Sequence, residues 1–270
     1  MTDSIHYLGL VDEETIALDT AALDLAALDH PQVNLAPYLD QLDAIAIELA
    51  ESAGTARSNE ERARALAQVI AGEFGFTGDT TSYDVPANAD LIQVMDRRRG
   101  LPISLSILYV AAARRMDWAA DALNTPGHVL VRIGTGEDAV LVDPFDDGAL
   151  VGRTRVTALF AQATGRAIAP EPDRMAALSN RAALARLLLN QATRAEAGGD
   201  TARALALFER ITIVAPASGH GWWERARLEL GEGDTAAARA SLNAMLEMTR
   251  EPALRARITA LLGNLADRAR

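Results

Sequence analysis

The sequence predicts an α+β fold, with helices packed around a small antiparallel sheet and an all-helical tail behind them. Three observations predict it. Alanine fills 54 of 270 positions while aromatic residues make up 4%, a balance that favours close-packed helices over an aromatic-rich sandwich. Two short β-branched runs, His128–Ile133 and Ala139–Asp143, flank Gly134–Asp138 and read as a hairpin. Beyond residue 177 the pattern is helical throughout, and Gly199-Asp-Thr-Ala202 returns as Gly233-Asp-Thr-Ala236 after 34 residues, the period of a tetratricopeptide repeat.

The elements follow in order. Apolar spacing marks helices over about 13–28, 36–52 and 59–73, the last capped by Ser58 with Glu61 three residues on. Glycines 72, 75 and 78 then break the pattern, and residues 84–88 read as an irregular loop. Helix resumes over Leu91–Arg98 and stops at Gly100. Pro102 suits the first turn of the next helix, about 102–116, where its missing N–H is not needed. That helix is apolar nearly all round, so it belongs in the middle of a domain. Between it and the hairpin, Leu105, Leu108, Val129, Leu130, Val142 and Phe145 are the expected core. Residues 165–177 carry two prolines and no periodicity, which marks a junction. Residues 178–268 should form about five antiparallel helices with Ala204 and Ala238 at close crossings.

Composition excludes several chemistries. Cysteine is absent, so there is no disulfide, thiolate metal site or thiol nucleophile. Lysine is absent too: all 26 basic residues are arginine, which rules out a P-loop and Schiff-base catalysis. Residues 1–61 hold thirteen acids against Arg57, a net of −12 within a total of −11. Nucleic acid is therefore not an expected partner, since phosphate binding needs a basic footprint. No apolar run reaches membrane-spanning length, the longest being Leu101–Ala113, and no signal-like leader opens the chain. The expectation is a soluble cytoplasmic protein. The other histidines, His6, His30 and His220, are scattered without ligand spacing, so neither metal nor cofactor is expected.

The hairpin carries the most informative chemistry. A turn centred near residue 136 gives pairing sums of about 272, which sets His128 opposite Asp143 or Pro144. At a cross-strand distance of about 4.5–5.5 Å between Cβ atoms, a carboxylate can hold an imidazole in one tautomer. That is the base-and-orienter half of a catalytic triad. The buried helix beginning at Pro102 can supply the nucleophile at its N-terminus, where the helix dipole favours an anion.

This order of helix N-terminus, His strand and Asp-Pro strand resembles the transglutaminase-like (papain-like) core, with its Cys, His and Asp. The closer resemblance is to the bacterial SirB family, transglutaminase-like proteins with a tetratricopeptide tail. It is carried by Arg98-Arg-Gly-Leu-Pro-Ile-Ser-Leu105, Ala113-Arg-Arg115, Pro126-Gly-His128 and Val142-Asp-Pro-Phe145, with Phe74-Gly-Phe-Thr-Gly78 and Tyr83-Asp-Val-Pro-Ala-Asn88 upstream. In the tail, Ala204, Ala238, Phe208, Leu242, Pro216 and Trp222 fall on repeat positions. Leu188 and Arg250 depart from them, standing where tryptophan and proline are usual. The resemblance implies a SirB-type domain over 1–170, with a helical part about 10–75 and a core about 80–165. A linker follows at 171–177, and repeats fill 178–270.

The resemblance also places Pro102 where catalytic relatives carry their cysteine. Proline has no nucleophilic atom, so the implied function is a non-catalytic protein-interaction or regulatory module with a protein or peptide partner. The alternative is a cryptic hydrolase or acyltransferase in which Ser106 or Ser104 works with His128 and Asp143. On the helix these serines point about 40° and 200° from the direction of Pro102. As binding candidates the sequence offers Asn88, Arg99 and Trp222. Asn88 with Tyr83 can equally shape the loop. Arg97–Arg99 can cap a helix end, or turn one arginine onto a carboxylate such as Asp84 or Asp143. Of Trp222 and Trp223, one ring belongs in the core and the other can line a repeat groove.

Overall fold

The computed structural model describes residues 2–165 and 175–267. The chain divides into two compact units, residues 12–187 and residues 1–11 with 188–270. The division thus falls inside a helix, Asn180–Ala197, rather than in the expected linker 171–177, of which 171–174 lie outside the described residues.

In the larger unit, three helices come first: α1 (Leu18–Ala27), α2 (Ala36–Ala53) and α3 (Asn59–Ala67). The capping box that predicts α3 is present in full. Ser58 Oγ accepts from Glu61 N at 3.2 Å, and Glu61 Oε2 accepts from Ser58 N at 2.9 Å. The single helix expected to residue 73 instead passes into a π-helical turn over Gln68–Glu73, an irregularity that apolar periodicity does not signal. Helix α4 (Leu91–Arg97) is capped by Asp90, whose Oδ1 accepts from Gln93 N.

Helix α5 (Pro102–Arg115) is the centre of this unit. Pro102 takes its first turn, as expected, and every residue from Pro102 to Ala113 is buried. Its C-terminal end is pinned by Arg115, which bonds Asp19 of α1 at 2.8 Å and Asp43 of α2 at 2.7 Å.

The sheet is an antiparallel meander of four strands in the order β3-β4-β5-β6: β3 (Ala120–Thr125), β4 (His128–Ile133), β5 (Val140–Asp143) and β6 (Ala149–Leu150). A separate parallel pair joins β1 (Thr77–Gly78) to β2 (Arg99–Gly100). The expected hairpin is β4–β5. Its pairs, Val131↔Val142, Arg132↔Leu141 and Ile133↔Val140, sum to 273 rather than 272. Strand β3 was not expected, because Ala-Asp-Ala-Leu-Asn-Thr holds one β-branched residue. The two-residue turn Pro126–Gly127 folds it back on β4 along its whole length.

Both faces of β4 are covered, which explains why Val129, Leu130 and Val131 are all buried. Leu130 packs with Val156, Leu159 and Phe160 of α6 (Arg153–Thr164). Val129 and Val131 point the other way, by strand alternation, toward α5. Of the expected core residues, Leu105, Leu108, Val129, Leu130 and Val142 are buried. Phe145 is the exception: it is half-buried, at the rim of a cleft.

Five helices follow residue 178: α7 (Asn180–Ala197), α8 (Thr201–Val214), α9 (Gly219–Gly231), α10 (Thr235–Met248) and α11 (Pro252–Asp267). The repeated Gly-Asp-Thr-Ala segments start α8 and α10 by one device, an aspartate cap: Asp200 Oδ1 accepts from Arg203 N and Asp234 Oδ1 from Ala237 N. Ala204 and Ala238 are fully buried. In the same unit Ile5 and Leu8, on a 3-10 turn over Thr2–Gly9, are also fully buried.

Candidate functional site

His128 opens β4 and Asp143 closes β5. With a register of 273 the ladder sets Leu130, not His128, level with Asp143, so the imidazole reaches the carboxylate on the diagonal. His128 Nε2 lies 2.8 Å from Asp143 Oδ1. The same oxygen accepts from Phe145 N at 3.1 Å and so caps the 3-10 turn Pro144–Asp146. Asp143 is 1% exposed, and a carboxylate that deep is held by those two donors. Because an ionised carboxylate can only accept, Nε2 is the donor of this bond.

Neighbouring elements hold the histidine in place. Arg186 of α7 donates to the carbonyl of His128 at 3.0 Å and to that of Thr125 at 3.5 Å, and also bonds Asn124. It therefore staples both ends of the Pro126–Gly127 turn. The Phe145 ring meets the imidazole edge-on at 6.0 Å, and Tyr83 meets Phe145 at 5.7 Å. A cleft of about 540 Å3 opens over the pair, lined in part by Tyr83, His128, Asp143, Phe145, Arg155 and Gln162.

The other expected residues are placed differently. Pro102 is buried in the first turn of α5 and does not line the cleft. Neither does Ser104, whose Oγ donates to the Asn88 carbonyl at 2.6 Å. Ser106 is fully buried, away from the cleft lining, and its hydroxyl has no hydrogen-bond partner among the described residues. Tyr109, one turn on, is similar: burial pushes its phenol far above the ordinary value, with Asp147 and Asp143 adding to the effect. No residue of α5 is among those that line the cleft over His128.

Asn88 shapes its loop. It is fully buried, donates to the Ser82 and Tyr83 carbonyls and accepts from Arg97. The arginine that turns onto a carboxylate is Arg97, and its partner is Asp79 at 2.9 Å rather than Asp84 or Asp143. Arg99 is exposed and bonds Thr77 Oγ1 and the Arg98 carbonyl. Trp222 donates its indole N–H to Pro216 O at 2.9 Å and packs on the tail core, so the exposed ring is Trp223. Arg155, Gln162 and Arg186 escaped the sequence reading. Each lies on a helix that only tertiary packing brings to the hairpin, and none carries a local signal.

The Asp79 network yields a pH test. The Ser82 N–H bonded to its Oδ1, with Asn88 and Arg97 adding, holds the Asp79 carboxyl below the usual carboxylate range against the opposing effect of burial. A depressed folded value means stability that is present above the unfolded value and lost as pH falls through the folded one. Asp79→Asn should therefore lower the urea midpoint at pH 7, and the gap to wild type should narrow below about pH 4. An equal gap at both pH values would remove Asp79 from the acid response.

Comparison with known proteins agrees with this core. Residues 36–189, more than half of the chain, match the family model described as the transglutaminase-like superfamily. This chain belongs to that superfamily. A UPF0162 protein of Pseudomonas aeruginosa is 29% identical over 240 residues, 87% of this chain and 86% of that one. A UPF0162 protein of Xylella fastidiosa is 28% identical over 141 residues, 52% of this chain, and the match spans half the length of that relative. Human F-box only protein 21 is 34% identical over 82 residues, 30% of this chain and 13% of its own. The transglutaminase-like match runs from α2 into α7 and so takes in α5, the sheet and the His128–Asp143 pair.

Proposed function

We propose that this transglutaminase-like chain works as a non-catalytic, SirB-type interaction or regulatory module, with tetratricopeptide-like repeats in its tail. One observation carries the reading: the His–Asp pair opens onto a cleft that no thiol, and neither Ser104 nor Ser106, lines. Without a thiol or a helix serine in contact, the base has no partner for the covalent acyl-enzyme step of this fold's catalytic arrangement. The expected partner is a protein or peptide in the cytoplasm, rather than nucleic acid or membrane. Among the described residues no helix is long and apolar enough to cross a bilayer. The same residues hold no cluster of metal-ligating side chains.

The test is acyl turnover by the purified chain, measured as amine incorporation into a glutamine-containing protein and as hydrolysis of an activated ester. Wild type, Ser106→Ala and His128→Ala should all stay at background, while His128→Ala loses about 1–3 kcal/mol of stability because Asp143 is left short of a donor. Turnover by the wild type that disappears in Ser106→Ala or His128→Ala overturns the reading in favour of a serine hydrolase or acyltransferase.

A further inference from the structure

The tail carries a second concave surface, unrelated to the His128 cleft. Two apolar cavities, of about 350 and 310 Å3, adjoin at Trp223 of α9 and Leu261 of α11. The smaller reaches toward the starts of both helices, at His220 and Leu254, and the larger toward their ends, at Leu230 and Leu265. Helices α9 and α11 therefore run side by side in the same direction. The trough between them covers Gly219 to Leu230, a rise of about 17 Å, or three helical turns. Trp223 and Leu230 are 36% and 38% exposed there, whereas Trp222 is spent on the core.

The charge of the trough differs from that of the chain. Its ionisable lining groups among the described residues are His220, Arg227 and Arg257, with no acid among them. Arg227 is shared with Glu196 and Glu224, while Arg257 is exposed and makes no ion pair among the described residues. Residues 178–270 hold thirteen arginines against ten acids, in a chain whose total is −11. An apolar floor edged by Arg257, the lining arginine without an ion pair among the described residues, is complementary to an apolar stripe flanked by carboxylates.

We propose that this trough docks an amphipathic helix of a partner protein, with apolar anchors in the two cavities and Asp or Glu on its flank facing Arg257. The walls are helix side chains with no free backbone edge, so they suit a helix in a groove rather than an added strand. Two cavities along about 17 Å match anchors at i, i+4, i+7 and i+11 of one helix. This names the partner class for the interaction reading above and rests on it. The two fail separately, since acyl turnover would remove that reading without touching a binding measurement on the tail.

The experiment is fluorescence anisotropy on the full chain with a labelled peptide of about 18 residues, leucine on one helical stripe and glutamate elsewhere. Controls are the same peptide with lysine for glutamate and a scrambled acidic one. The acidic helix should bind saturably and more weakly as salt rises, and both controls at least about tenfold more weakly. Trp223→Ala, at the centre of the trough, should weaken binding by about tenfold or more. Arg257→Glu should weaken it too, and its exposed position spares the fold, which circular dichroism melts verify for both variants. Equal binding of the acidic and lysine peptides overturns the proposal, as does unchanged binding in folded Trp223→Ala and Arg257→Glu. So does concentration-dependent self-association that Trp223→Ala abolishes, because the trough would then belong to a second copy of this chain.

Discussion

Gly148→Ala should be among the most damaging single-methyl changes in the described chain, costing about 2–5 kcal/mol. Two penalties add. Gly148 sits at φ +76°, where an L side chain costs about 1–2 kcal/mol. A Cβ built there would lie 2.5 Å from the Tyr109 hydroxyl and 2.6 and 3.0 Å from Cβ and Cα of Ala67. Ala67 ends α3 and Tyr109 is fully buried in α5, so neither has room to retreat, and overpacking of this kind costs about 1–3 kcal/mol. Gly136→Ala supplies the control: φ is +71° there too, but nothing lies within 4 Å of the added methyl. It should lose only the conformational part, about 1–2 kcal/mol. Urea unfolding of the two variants separates strain from collision. Equal losses would mean that Tyr109 and Ala67 yield.

Asp143→Ala should follow, at about 2–5 kcal/mol, and should exceed His128→Ala. The carboxylate satisfies two groups, the His128 ring and the Phe145 N–H, and removing it takes that acceptor from both. His128→Ala leaves Asp143 one of its two donors, so its cost is smaller. Asp143→Asn keeps an oxygen at the same place and should recover most of the loss. The readouts are denaturation midpoints together with the histidine ring signals in NMR, where His128 should lose its hydrogen-bonded Nε2–H in Asp143→Ala. If His128→Ala proves the more damaging, the imidazole rather than the carboxylate organises this corner.

Those two sites differ in how far they can be read without a structure. His128 and Asp143 sit at the ends of two runs whose alternation is plain, so their meeting is legible despite a register wrong by one. The error survives because a histidine side chain spans the diagonal between neighbouring strand positions as well as the direct one. Gly148 carries no such sign. Its constraint comes from Ala67 and Tyr109, dozens of residues away, and from a strand, β6, of two residues.

The same division runs through the molecule. Sequence alone determined whatever depends on neighbours within a turn or two: the Ser58–Glu61 capping box, Pro102 at the start of a helix buried all round, the repeated Gly-Asp-Thr-Ala segments at the starts of α8 and α10, and the lack of any thiol. These are short-range consequences of backbone hydrogen bonding, apolar spacing and residue chemistry, and they need no partner. Tertiary structure alone decided which arginine met a carboxylate, which tryptophan stayed exposed and which side chains line the cleft. Arg97 finds Asp79 eighteen residues upstream, Trp222 rather than Trp223 packs on the tail core, and Arg155 and Arg186 reach the hairpin from helices beyond it. Strand β3, too, formed without local propensity, because pairing with β4 satisfied its backbone groups and buried Ala122 and Leu123. Such choices turn on which distant surfaces close over one another, and that information is not held within any window of the chain.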